Sequence, residues 1–271
     1  MGPARPIAGG GMGHSFSRMR WRLILDGRNG AAWNMAVDEA ILDAVIQGIS
    51  PPTIRMYRWE RPAISLGRFQ NIAQGVNLDA CVRYDVELVR RPTGGRAVLH
   101  DDDETVSIIL PVQAIGPAGN SVAGSYRALI QGFSEGLARL GLPLQQSSTE
   151  RRASPSADCF AVRTSADLVT PEGTKLVGSA QYRRANVILQ QSSILHRPPS
   201  VPPEELFVGP VSSPAYPLQL TPEGELRLAL REGFGRALGI ALIVDDLTAW
   251  EYERAGVLLQ RVKQRVEGNR R

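Results

Sequence analysis

Lysine is rare in this chain: of its 31 basic residues only Lys175 and Lys263 are lysines, and the rest are arginine. Arginine keeps its proton in a protein and presents a wide planar fork, whereas the lysine ammonium is compact and can deprotonate. Lys175 stands in a glycine-bounded segment, Gly173 to Gly178 (GTKLVG), and is a candidate for chemistry that arginine cannot do; Lys263 lies in a polar C-terminal stretch. There are two cysteines, Cys81 and Cys159. A thiol is a useful nucleophile only as thiolate, a form that a neighbouring ammonium favours. Lys175 can serve Cys159 in this way if the chain folds it back. By residue type alone Cys159 is more often a filler of apolar space than a nucleophile, and the survival of Lys175 is equally a matter of chance. Cys81, in the helix-like stretch LDACVRY, reads as core.

A second segment, Arg90 to Asp101 (RRPTGGRAVLHD), carries paired glycines. Gly94 and Gly95 let the backbone approach a ligand closely, and successive N–H groups in such a turn can cradle an oxyanion; an ordinary hairpin turn reads the same way. The pattern is neither GxGxxG nor a P-loop. Three histidines are dispersed, His14, His100 and His196, with no CxxC, HxxxH or HxE spacing, so no metal site follows. His100 beside Asp101 reads as a polar hook or a satisfied structural histidine. The acidic run Asp101 to Glu104 reads as a solvated turn.

These segments need a scaffold. Trp21 to Asp26 reads as a strand ended by Gly27, followed by a helix over Ala31 to Gln47. Thr53 to Trp59 and Ala63 to Leu66 read as short strands and Leu78 to Tyr84 as a short helix. Val86 to Arg90 and Thr105 to Leu110 are apolar and β-branched enough for central strands. Ser121 to Leu140 is a helix that starts on a serine cap and ends at Gly141. Asp167 to Val169, Lys175 to Arg183 and Val187 to Leu195 form a meander, and two helices close the chain, near Pro222 to Leu238 and Leu247 to Gln264. The class is α+β, a mixed β-sheet flanked by helices. The 271 residues, 43% of them hydrophobic, suit one domain over 21–271 behind a disordered, glycine-rich tail over 1–20, with Met12 or Met19 as alternative starts. The net charge of +4 is scattered and aromatics are only 6%, which argues against nucleic acid and fits an acidic protein partner. No apolar run reaches the ~20 residues of a membrane span and no signal peptide is present, so the expected location is the cytoplasm.

RRPTGGRAVLHD resembles the RRxxGG…xHD motif of the lipoate-protein ligase and octanoyltransferase superfamily, and GTKLVGSAQYRR at Gly173 to Arg184 resembles its GxKxxGSAQ motif. WNMAVDEAIL at Trp33 to Leu42, SLGRFQN at Ser65 to Asn71 and VILQQSSIL at Val187 to Leu195 extend the likeness over most of the chain. The resemblance implies a class II aminoacyl-tRNA synthetase and biotin ligase type of fold. It implies Cys159 and Lys175 as catalytic residues, and Arg91, Gly94, Gly95, His100, Gly178, Ser179 and Gln181 as substrate-binding residues. Ligases of the superfamily usually read GGG where this chain has Gly94-Gly95-Arg96, and they need no cysteine before the lysine. Asp158-Cys159-Phe160 looks instead like the acyl-thioester cysteine of the octanoyl-carrier-protein:protein octanoyltransferases.

The implied reaction moves octanoyl from the phosphopantetheine of acyl carrier protein to Cys159. From there it passes to a lysine of a lipoyl domain or glycine cleavage H protein, with neither ATP nor a metal. Seven carbons beyond the carbonyl contribute up to about 5 kcal/mol when buried, so the pocket is expected to be apolar and long. The alternatives are an ATP-dependent lipoate ligase, an amidotransferase that moves octanoyl between lipoyl proteins, and a binding module without catalysis.

Overall fold

The structure is a computed structural model that describes residues 19–72, 75–147 and 156–267. The expected tail over 1–20 and His14 therefore lie outside the described residues, apart from Met19 and Arg20, which already join the sheet: the Ala241 N–H donates to the Met19 carbonyl.

The strands are β1 (Arg20–Asn29), β2 (Thr53–Trp59), β3 (Ala63–Leu66), β4 (Glu87–Arg90), β5 (Val98–His100), β6 (Glu104–Pro111), β7 (Gln145–Gln146), β8 (Leu168–Val169), β9 (Lys175–Arg184), β10 (Val187–Ile194) and β11 (Ala241–Val244). The helices are α1 (Ala31–Ile46), α2 (Leu78–Arg83), α3 (Val122–Arg139), α4 (Pro203–Leu206), α5 (Glu223–Ala237) and α6 (Ala249–Glu267), with a 3-10 stretch over Val112–Asn120. Eight strands form one sheet in the order β11-β1-β2-β6-β10-β9-β8-β7, parallel at β11/β1/β2 and antiparallel elsewhere, and β4-β3-β5 form a second. The α+β class with a mixed sheet is as expected.

Two expectations change. β1 does not end at Gly27 but runs on to Asn29 through a register shift against β2 between Leu25 and Arg28, because a bulge absorbs the extra residue without breaking the strand. Val86 to Arg90 is apolar enough for the central sheet, yet as β4 it pairs with β3 in the small one; composition reports burial, not the neighbour.

One face of the large sheet packs on α3 and α5 around Phe133 and Phe234, whose rings meet edge to face at 4.9 Å. The other packs on α1 and α6, and a third apolar cluster lies by the small sheet and α2. β9 and β10 are joined through Ala185 and Asn186 at φ 48° and 60°, the two positive values a type I′ hairpin requires.

Candidate active site

Lys175 opens β9, and Cys159 reaches it from a separate segment. The Cys159 N–H donates to the Ala97 carbonyl at 2.8 Å, and the Ala97 N–H to that of Ala157 at 3.1 Å. Chain 157–159 is thereby tied to the exit of the glycine turn. The Asp158 carboxylate accepts from the backbone N–H groups of Phe160 and Ser212, both at 2.8 Å, and sets the turn that presents the half-buried Cys159.

Lys175 is 4% exposed. Its Nζ donates to the carbonyls of Cys159 (2.9 Å) and Val162 (3.1 Å) and lies 3.5 Å from the Cys159 Sγ and 3.1 Å from the Asp167 carboxylate. Burial opposes the ammonium, but the negative charges of Cys159 and Asp167 outweigh it and raise the Lys175 pKa. Gly178 is small for a reason visible here: a Cβ would stand 3.0 Å from Lys175 Cε and 3.7 Å from the sulfur.

Arg91 shapes the glycine turn from within. One Nη donates to the Ser65 carbonyl at 2.6 Å and the other to the carbonyls of Gly94 (2.8 Å) and Arg96 (2.6 Å). Burial lowers its pKa and the charge on Cys159 partly restores it, so a second cation faces the sulfur. Gly95 takes φ +94°, and Gly67 lies against it so closely that a Cβ there would sit 2.0 Å from the Gly95 carbonyl oxygen.

His100 is buried, stacked on Trp59 at 3.9 Å, with its ring nitrogens bonded to Ser65 Oγ (2.7 Å) and Asp103 (2.9 Å). Its acidic partner is Asp103, not the neighbouring Asp101, which accepts instead from Ser200. Nor is the second half of the acidic run solvated. Asp103 and Glu104 are buried, Asp103 against His100, Thr105 and Ser193, and Glu104 between Arg58 and Arg227, because it opens β6 and so enters the sheet beside those arginines.

Two cavities meet at Cys159. One of ≈ 440 Å³, counting its mouth, has the apolar walls Met35, Tyr57, Trp59 and Val98, with Ser65, His100 and Gln191 among its polar groups, so it is apolar in the main rather than throughout. A larger, more polar groove of ≈ 940 Å³, counting its mouth, is lined by Tyr126, Thr164, Asp167 and Lys175. Gly95, Cys159, Ser179 and Ala180 line both. Burial pushes the Tyr126 hydroxyl up to about 12.

The β9/β10 register decides which backbone groups face the groove. Leu195 N–H donates to the Leu176 carbonyl, and antiparallel pairs alternate, so Gly178 and Ala180 bond toward β10 while Ser179 and Gln181 turn their N–H groups to the opposite edge, past the end of β8. Gln181 gives its N–H to the Tyr126 hydroxyl; its side chain is held by Ser125 and Gln190, and the Ser179 hydroxyl by Ser192. Of the residues singled out in the sequence, Cys159, Lys175, Gly94, Gly95, Gly178, Ser179 and Gln181 thus converge, with Arg91 and His100 behind them. Cys81 lies in α2 in the third cluster and lines neither cavity. Sequence reasoning missed Asp167 and Ser65; the sole hint of Asp167 is that a buried lysine needs an acid.

Residues 30–201 match the lipoyl protein ligase A/B catalytic domain. The chain belongs to this family. The lipoyl protein ligase A/B match is reinforced by curated relatives named octanoyltransferase LipM. That of Kyrpidia tusciae is 39% identical over 88% of this chain and 94% of its own length, and that of Halalkalibacterium halodurans 36% over 91% and 96%. Among solved structures, lipoate-protein ligase A bound with ATP aligns with TM-score 0.74 at 24% identity, over 90% of this chain and 95% of that one. A bi-partite lipoate protein ligase from Thermoplasma acidophilum aligns with TM-score 0.74 at 23%, over 90% and 93%. These two show the shared fold. Among the described residues no helix is long and apolar enough to cross a membrane, and no group of three His, Cys, Asp or Glu side chains could hold a metal ion.

Proposed function

We propose that the protein is a cytoplasmic octanoyltransferase that takes octanoyl from the phosphopantetheine thioester of acyl carrier protein and delivers it to a lysine of a lipoyl domain or glycine cleavage H protein, without ATP or a metal. The observation that carries this reading is the contact of the Lys175 ammonium with the Cys159 sulfur at the junction of a mainly apolar pocket and a larger, more polar groove. The acyl tail fills the pocket, the carbonyl lies at Cys159, and the groove admits the acceptor lysine.

In the first half-reaction the Cys159 thiolate attacks the thioester carbonyl. A C–S bond forms to Cys159, the bond to pantetheine breaks, and the departing pantetheine sulfur takes a proton from Lys175. In the second, the acceptor amine attacks the octanoyl-cysteine, a C–N bond forms, the amine proton passes to Lys175, and Cys159 leaves as thiolate. Both halves pass through a tetrahedral oxyanion. The Ser179 N–H, turned out of the β9/β10 ladder at the cavity junction, is its donor.

Mixing the protein with octanoyl acyl carrier protein and no acceptor should add one octanoyl group on Cys159, read by intact mass and peptide mapping, and Cys81→Ala should add it equally. An adduct that forms only with free octanoate plus ATP would overturn the transferase reading in favour of a ligase, and loss of the adduct in Cys81→Ala would move the nucleophile.

A further inference from the structure

Alternate residues of a strand share a face, so Tyr182 and Arg184 continue the face of β9 that carries Gly178 under Cys159 and Ala180 under Gly95. Beside Tyr182 lies a third cavity of ≈ 540 Å³, counting its mouth, whose walls include five arginines, Arg68, Arg90, Arg91, Arg184 and Arg265, and a single acid, Glu39. Glu39 is engaged by Arg265 at 2.8 Å and Arg184 by Asp43, so the remaining charge is strongly positive. Arg68 has no carboxylate partner among the described residues; its guanidinium lies over the Tyr182 ring, 4.9 Å from the centroid.

Arg90 is the telling residue. It is 5% exposed, its Nη1 holds the carbonyls of Gly67 and Gln70 at 2.8 Å each, and its Nη2 has no hydrogen-bond partner. A buried guanidinium without a counter-ion and with an unused N–H arm is costly, and burial lowers its pKa. An oxyanion in the cavity would neutralise part of the charge, and guanidinium forks suit phosphate oxygens.

We propose that this arginine-lined cavity is an anion site for the phosphate of a phosphate-bearing thioester arm whose acyl end lies at Cys159. The inference rests on the acyl-transfer reading above and adds where the donor is held. From Gly178 to Tyr182 the strand advances about 13 Å. A phosphopantetheine arm is comparable to five extended residues, roughly 17 Å, and spans that interval with slack for its entry into the cavity.

Octanoyl-4′-phosphopantetheine and octanoyl-pantetheine differ only in the phosphate. With the full-length protein, kcat/KM for formation of octanoyl-Cys159 should favour the phosphorylated thioester by on the order of 30-fold. Arg68→Gln, at an exposed position, should cut that preference to about threefold or less. Equal rates for the two thioesters in the wild type, or an undiminished preference in Arg68→Gln, would overturn the anion site while leaving the transferase reading intact. No adduct with either thioester would overturn both.

Discussion

Replacing Lys175 by methionine removes the ammonium and keeps most of the side chain's length, so the charge can be tested apart from packing. The Asp167 carboxylate stands 3.1 Å from Nζ, and both side chains are 2% exposed. At an effective dielectric of ~20 that separation corresponds to about 5 kcal/mol, and removing one member of a buried pair costs about 3–5 kcal/mol because the other is left unpaired. Lys175→Met should therefore lose about 3–5 kcal/mol and melt roughly 10 °C lower. Asp167→Asn should lose less, since the sulfur of Cys159 remains as a partner for the ammonium.

The double variant buries no orphan charge. It should recover most of the stability, with a coupling energy of about 3 kcal/mol in the cycle. Acylation should behave differently. Nζ lies 3.5 Å from Sγ, which sets a ceiling of about 5 kcal/mol, or more than three decades of rate, on its stabilisation of the thiolate. Single-turnover formation of octanoyl-Cys159, followed by intact mass, should fall at least ~100-fold in Lys175→Met and stay low in the double variant. If the double variant regained acylation along with stability, Lys175 would be no more than the counter-ion of Asp167, and its contact with the sulfur would have no part in the reaction.

Ser179→Pro removes the proposed oxyanion donor at a position whose N–H makes no ladder bond, the one strand setting that tolerates proline. Acylation should fall about 10²–10³-fold while Ser179→Ala, which keeps the N–H, stays near the wild type; equal rates for the two variants would remove Ser179 from the oxyanion hole. Asp102 offers a pH test. Burial opposes its carboxylate, but hydrogen bonds from Arg197 and Arg28 and the charge of Arg58 bring its pKa from 3.8 down to about 2. A depressed folded-state value stabilises fully above about pH 4 and is lost as pH falls through 2. The melting difference between wild type and Asp102→Asn should follow that window, and a gap that persisted below pH 2 would contradict it.

Local pattern carried much of the fold. The 3.6-residue spacing in Ala31 to Ile46 and Val122 to Arg139, the serine cap at Ser121 and the hairpin turn at Arg184 to Asn186 each depend on residues close in the chain, and each is present as read. The motifs around Gly94, Gly95 and Lys175 were legible for the same reason: short segments with unusual composition. What composition left open was which elements meet. β4 reads as a central strand and lies in the small sheet. The acidic run reads as solvent-facing, yet its last residue, Glu104, is buried against Arg58 and Arg227, arginines 46 and 123 positions away.

Within the site, the residue types nominated Cys159 and Lys175 as candidates, the first read more often as apolar filler and the second equally as chance, and their meeting depended on the chain folding the lysine back. Their pairing waited on the bridge from Ala97 to Asp158 and on the path of β9, which together bring Nζ to the sulfur. Asp167 and Ser65 carry no signal of their own in the chain, and nothing there separates the Ser179 N–H from that of Gly178. An acid gains its meaning from the buried ammonium beside it, and a backbone N–H from the strand register that leaves it unbonded. Both are relations between segments distant in sequence, and only the tertiary structure sets them.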